Sequence, residues 1–294
     1  MTAPRRPAGP TPDRGSARAA AWLPLLPAFL LYGVQFVLPL LIVAVMAFMT
    51  SDGTGVVRPT PTLDNFAKVL GDSYYLSLVG RSLLVALVTA ITTAIIGYPI
   101  AWALARSRGV WRSLLLVAVM LPLMTSSVIR AFGWMVLFAP GTWFTTLFGG
   151  LATETTGLLY TFPGLIIAMT HMLLPMMILS LYGVIEKLEP SYEEAAATLG
   201  SGRVGRFLRI VLPLTTGGLV AGMLLVFASA ASLFVTPRLI GGPKQRVLAT
   251  EIYDQTIMLL NWPLASAMAV VLLVLAGLAG GVYSVMMRRV GSTR

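Results

Sequence analysis

Six long apolar runs alternate with short polar stretches along the chain, near residues 24–50, 76–105, 113–139, 158–185, 210–235 and 263–287. Each exceeds the roughly 20 residues that carry a helix across a hydrocarbon core. The pattern therefore predicts an all-α, polytopic membrane protein with six transmembrane helices. The first run follows a tail bearing Arg5, Arg6, Arg14 and Arg18. It is too long for the apolar part of a secretory leader and has no small-residue cleavage site before Thr50, so it reads as a retained first span, 24–50. The Pro-rich tail before it, residues 1–23, is expected to be disordered.

Charge placement adds an orientation. With the N-terminus inside, the inner segments hold fourteen Lys and Arg residues and the outer segments five: Arg58, Lys68, Arg238, Lys244 and Arg246. Arg81 and Arg130 fall within spans. This bias predicts that the N-terminal tail and the C-terminal tail, 288–294, are both cytoplasmic. The net charge of +10 thereby marks topology and does not call for a nucleic-acid partner. The chain is 57% hydrophobic and 11% charged, too little charge for a soluble domain. It has no cysteine and one histidine, which excludes disulfides, thiolate metal sites and His clusters.

No Asp or Glu lies within any of the six runs. Ion-coupled transport usually relies on a titratable or coordinating group at depth, so this absence weighs against a secondary transporter. It also excludes a Ser-His-Asp or paired-Asp hydrolase within the membrane. Arg130, in "TSSVIRAFGWM", stands about 26 Å along an outward-running span. A snorkelling side chain and a lining of the outer translocation path are both open to it. His171 falls near mid-span, where an interhelical hydrogen bond or a solute contact would satisfy it. Glu154, Glu251 and Asp254 are the acids expected near the outer mouth. Trp134, Trp143 and Trp262 read as interfacial belt residues, and small residues around Gly217, Gly218 and Gly222 allow close helix packing.

The stretch Tyr192–Leu214, "YEEAAATLGSGRVGRFLRIVLPL", interrupts the apolar pattern on the inner side. Pro190 ends the preceding helix, and Ser191 with Glu194 has the spacing of a capping box. "EEAAATL" then favours helix, Gly200 ends it, and "RVGRFLRI" is expected to form a second, basic piece lying flat under the membrane. There is no phosphate-binding G-x-x-x-x-G-K-[ST] run. The chain alone cannot hydrolyse ATP.

Glu194-Ala195-Ala196, three residues, Gly200, nine residues, then Ile210-x-Leu212-Pro213 resembles, at every defining position, the E-A-A motif of permease subunits of type I bacterial ATP-binding-cassette (ABC) importers. The segments "LDNFAKVL", "GYPIAWALAR", "LPLMTSSVIRAFGW" and "LFVTPRLIGGPK" look like those of the spermidine/putrescine subgroup, over roughly residues 60–288. The resemblance implies the type I permease fold, with a transmembrane type-1 domain over 76–287 and a cytoplasmic coupling loop at 186–209. It implies that Glu193, Glu194, Ala195, Ala196, Gly200 and Arg203 dock an ATPase dimer that binds the ATP, this chain holding no cofactor. It further implies a second permease chain, and an outer solute-binding protein resting on loops 51–75, 140–157 and 236–261. Pathway candidates are Arg130, His171, Glu251 and Asp254. The expected role is a non-catalytic inner-membrane subunit forming half of a polyamine path. Alternatives are another small solute, such as a phosphonate or opine, or a stand-alone secondary transporter.

Overall fold

In the computed structural model, residues 26–52, 55–147, 150 and 157–291 are described; the expected N-terminal tail lies outside them, as do the last three residues of the C-terminal tail. The chain runs α1 (Leu26–Met46), a hairpin β1 (Thr50–Ser51) and β2 (Val57–Arg58), α2 (Asp64–Gly71), α3 (Ser73–Arg106), α4 (Gly109–Met124), α5 (Ser127–Phe138), α6 (Trp143–Leu147) and α7 (Phe162–Ile185). Then come α8 (Pro190–Thr198), α9 (Arg203–Arg206), α10 (Leu212–Ser232), α11 (Leu248–Tyr253) and α12 (Trp262–Gly291). Among the described residues, four helices are long and apolar enough to cross a membrane, Ser73–Arg106, Phe162–Ile185, Val204–Ser232 and Trp262–Gly281, or five if the bent pair Gly109–Met124 and Ser127–Phe138 is one span. The apolar stretch Leu30–Met46 of α1 is shorter than these.

The third expected span is not one straight helix. α4 and α5 meet at a 97° bend. Pro122 sits in the last turn of α4, Thr125 is extended, and Ser126 starts α5 by accepting a hydrogen bond from the Val128 amide. The proline weakens the ladder and the Ser opens a new one. The fifth span also differs. The basic piece is not a separate flat helix but the opening turns of the span itself, joined to α10 through a π-helical turn at Phe207–Val211. Pro213 cannot donate to the carbonyl four residues back, and widening the preceding turn accommodates it without a break.

α3, α7 and α10 form the core. Their shared surface buries Val85, Ala94, Leu165, Met169, Leu173, Met177, Leu181 and Val226. In lipid there is little hydrophobic drive between helices, so close fit and small residues hold them. A Cβ on Gly97 would stand 3.0 Å from Met177 Cγ, one on Gly222 2.8 Å from Met177 Sδ, and one on Gly218 2.5 Å from Val184 Cγ2. Buried hydroxyls join the same helices: Thr92 Oγ1 lies 2.7 Å from Thr170 Oγ1 and Tyr98 Oη 2.6 Å from Thr215 Oγ1. Asn65 Nδ2 finishes α1 by donating to the Ala47 and Met49 carbonyls, at 3.0 and 2.8 Å.

Gly218→Val should destabilise the chain by about 2 kcal/mol through overpacking, while Gly183→Ala, whose added Cβ meets nothing within 4 Å, should leave it unharmed. Thermal unfolding of both variants in detergent checks this.

Candidate functional site

The polar elbow between α7 and α10 is built from the end of α7 outward. Glu186 pairs with Arg112 at the start of α4, which also bonds the Tyr182 hydroxyl. Arg106 Nη1 donates to the Leu188 carbonyl at 3.3 Å. The sequence reading assigned both arginines only to topology; the structure uses them to tie down the base of the elbow. The expected Ser191–Glu194 capping box is absent. Glu189 is the N-cap and Pro190 the first helical residue, and Ser191 Oγ donates to Glu189 Oε2 at 3.2 Å. Proline's fixed φ and missing N–H suit the first helical position, so the helix starts two residues earlier.

Gly200 ends α8 as expected, with a defined geometry. Its φ is +79°, the left-handed region that glycine enters freely. The Ser201 amide donates to the Ala196 carbonyl and the Gly200 amide to the Ala197 carbonyl, both at 3.0 Å. This pair of bonds is a Schellman closure. Ala196 is buried, whereas Tyr192, Glu194, Ala195 and Gly200 are exposed and Leu199 is 88% exposed. Glu193 lies in α8 and Arg203 opens α9; their side chains fall outside the described residues. The elbow thus presents a partly apolar face that the described residues leave uncovered.

At the α4–α5 bend, Arg130 lies in the first turn of α5. Its Nε and Nη1 are closed off from solvent and find no hydrogen-bond partner among the described residues. His171 Nδ1 accepts a hydrogen bond from Trp134 Nε1 at 3.1 Å, which joins α5 to α7 and leaves the ring proton on Nε2. Trp134 is accordingly not a belt residue. It packs on Phe138, Phe144 and the His171 ring, a cluster that the apolar pattern alone does not reveal. Trp143 and Trp262 are exposed.

Glu251 and Asp254 are brought together, but not as free charges. They are 4% and 9% exposed. Glu251 accepts from Tyr74 Oη at 2.8 Å, from Gln255 Nε2 at 3.0 Å and from Arg246 Nη1 at 3.4 Å; Asp254 pairs with Arg238. The Tyr74 hydroxyl, then the charge on Glu251 and Asp254, hold the Arg246 guanidinium above its usual pKa against desolvation. The expected outer loop 236–261 is therefore a folded cover, fastened by Arg81 Nη1 to the Lys244 carbonyl at 2.8 Å and by the Leu248 amide to Ser82 Oγ at 2.7 Å. Gly242, at φ +55°, locks it against Tyr160, whose ring an added Cβ would meet at 2.3 Å. The "GGP" run is the one sequence signal of that lock. Glu154 and much of loop 140–157 lie outside the described residues.

The family model of the binding-protein-dependent transport system inner membrane component matches residues 95–292. The chain is 34% identical over 248 residues to the spermidine/putrescine transport system permease protein PotB of Escherichia coli (strain K12), covering 84% of this chain and 90% of that one. It is 36% identical to PotB of Haemophilus influenzae over 85% and 88%. Against the sulfate transport system permease protein CysW of a Synechocystis strain it is 29% identical over 70% and 71%. In fold, it is similar to a chain of the bacterial alginate ABC transporter in complex with its alginate pentasaccharide-bound periplasmic protein. That match has a TM-score of 0.73 at 18% identity, covering 94% of this chain and 96% of that one. It is also similar to a chain of the inward-facing MetNI methionine ABC transporter, with a TM-score of 0.56 at 16% identity, covering 74% and 99%.

Glu251→Ala removes the carboxylate that Tyr74, Gln255 and Arg246 share, leaving buried donors without an acceptor. It should cost about 3 kcal/mol, and Glu251→Gln less, because the amide oxygen still accepts. Unfolding midpoints in detergent separate the two.

Proposed function

The chain belongs to the binding-protein-dependent transport system inner membrane components, and we propose that it forms half of the pathway of an ATP-driven importer for polyamines. It is a multi-pass inner-membrane protein and a permease. The geometry that carries the reading is the elbow: a short helix closed by the Gly200 turn, anchored to α4 and α7 and continuous with α10, with its outer face exposed. A cytoplasmic ATPase dimer would seat on Tyr192, Glu194, Ala195 and Leu199, bind the ATP, and move two such elbows together, switching the cavity between inward- and outward-facing states. On this reading both termini are cytoplasmic. A second, related permease chain supplies the other half of the path, and an outer solute-binding protein rests on the exposed ends of the cover.

The substrate class follows the relatives at 34–36% identity, which are spermidine and putrescine permeases. Glu251 and Asp254 are spent in ion pairs, so the second permease chain and the binding protein would supply the further charge that a polyamine needs. A second reading, an anionic solute, is favoured by Arg130, the cation at the bend with two unpartnered N–H groups.

Gly200→Val forces a β-branched residue into the left-handed region, at a local cost of about 1–3 kcal/mol, in a place where its side chain meets open space. Co-purification of the ATPase and uptake into proteoliposomes should be lost while the unfolding midpoint of the spans holds; Gly200→Asn, which tolerates that conformation, should retain both. Undiminished co-purification and uptake with Gly200→Val would sink the coupling role. Saturable uptake of labelled spermidine, not competed by sulfate, supports the polyamine assignment; transport of sulfate alone reverses it and puts Arg130 on the solute.

A further inference from the structure

A groove of about 860 Å³ runs along the outside of the core between α3 and the helix Val204–Ser232. One wall is Ile95, Pro99 and Trp102; the other carries Leu212 and Leu219, with Arg206 at the elbow end. Among the described residues, Arg206 is the charged side chain that lines it. The Nε of that guanidinium is closed off from solvent and has no hydrogen-bond partner among the described residues. Ile95 is 68% and Trp102 39% exposed, so the groove opens sideways, toward the bilayer.

Its length and depth are those of one leaflet. Ala94 to Trp102 covers about 12 Å of helix and Arg206 to Leu219 about 20 Å, at 1.5 Å per residue, against roughly 15 Å for half a hydrocarbon core. The charged end coincides with the membrane boundary, since α3 ends at Arg106, which is bonded to Leu188 at the base of the elbow. An apolar slot one leaflet long, closed at the headgroup level by a guanidinium short of an acceptor, matches an amphiphile with an anionic head. We propose that this groove binds an anionic phospholipid of the leaflet on the elbow side, its acyl chain along Ile95, Pro99 and Leu219 and its phosphate on Arg206. Guanidinium–phosphate pairing satisfies the Nε and is strong away from bulk water. A transmembrane helix of a second permease chain fits less well, because its backbone carbonyls are spent on its own hydrogen bonds and it would need an acidic side chain in register with Arg206. The site goes beyond the importer reading, which it uses only to name the leaflet as the cytoplasmic one.

The test uses the assembled importer in nanodiscs carrying a trace of phospholipid with a photoactivatable acyl chain, either phosphatidylglycerol or phosphatidylcholine. After irradiation, labelled peptides are mapped by mass spectrometry. Label should concentrate in residues 94–102 and 204–219, with phosphatidylglycerol ahead by about fivefold, the effect of one cation near the bilayer surface. Arg206→Gln should bring the ratio to one while leaving acyl labelling in place, and Leu219→Trp should fill the slot and remove the label, with unfolding midpoints confirming that both variants fold. Three outcomes overturn the proposal: no label in those peptides, equal labelling by the two lipids in the unaltered protein, or cross-linking of a Trp102→Cys variant to the second permease chain. Spermidine uptake by the same preparation reports on the importer reading separately, so the two can fail independently.

Discussion

The fit of α7 between α3 and α10 is the constraint on which the rest of this structure depends. No carboxylate lies at hydrocarbon depth, so ion pairs cannot hold the spans, and lipid competes for apolar surface as well as protein does. What remains is shape. Gly97 on α3 and Gly222 on α10 both close onto Met177, and Gly218 closes onto Val184. Methionine's flexible, polarisable chain suits a position pressed from two sides. With the helices this near, the Thr92–Thr170 and Tyr98–Thr215 hydroxyl pairs can form, each satisfying polar groups that would otherwise be orphaned in an apolar medium. Every functional segment hangs from this core: the elbow joins α7 to α10, the α4–α5 bend leans on α7, and the outer cover follows α10.

At three places where the chain departs from regular helix, a replacement for the lost hydrogen bonds is visible. Ser126 reopens the ladder after the Pro122 turn; the π-helical turn at Phe207–Val211 absorbs Pro213; the Gly200 closure satisfies the carbonyls of Ala196 and Ala197. Irregular backbone near a membrane is tolerated on that condition. Arg130 is an exception, since its unpartnered N–H groups sit beside one of these departures. The cost of such groups falls away when a partner or solute supplies an acceptor, and no other cation near the α5–α7 junction stands in that state.

Much of this was legible in the sequence because the membrane simplifies the code. Long apolar runs translate directly into helices, and the elbow's existence and its Gly200 stop were readable from Pro190, "EEAAATL" and Gly200. What escaped was set by tertiary contact. A helix start at Glu189 instead of Ser191 depends on proline's fit to a first-turn position, which competes with a capping pattern of equal appearance. The 97° break falls inside a run long enough to read as one span, and its signals, Pro122 followed by Thr125-Ser126-Ser127, are ones that a straight membrane helix also tolerates. The burial of Glu251 and Asp254 could not be read because Tyr74 reaches Glu251 from the start of α3, 177 residues away, while Arg238 and Arg246 lie in the same loop as the acids. Charge in an outer loop looks solvated until the loop folds inward.

The elbow's two attachments decide what a force applied to it can do. One end continues through the π-helical turn into α10, and the other follows α7 and is clamped to the end of α3 by Arg106 and to α4 by the Arg112–Glu186 pair. A push is thus shared by all three core helices and cannot be relieved by swinging a loose loop. His171 stands on α7 about 21 Å along the helix from Ile185, held there by Trp134 of α5. A tilt of α7 started at the elbow therefore arrives at the side chains around the bend that carries Arg130. The opposite end of the assembly resists the same tilt, because Arg81, Ser82 and Tyr74 of α3 are all bonded to the outer cover. α3 is fastened to the outer cover, to the elbow base through Arg106 and to α7 through the Thr92–Thr170 pair, so the polar bonds tie these two helices together and a push on the elbow moves them as one body.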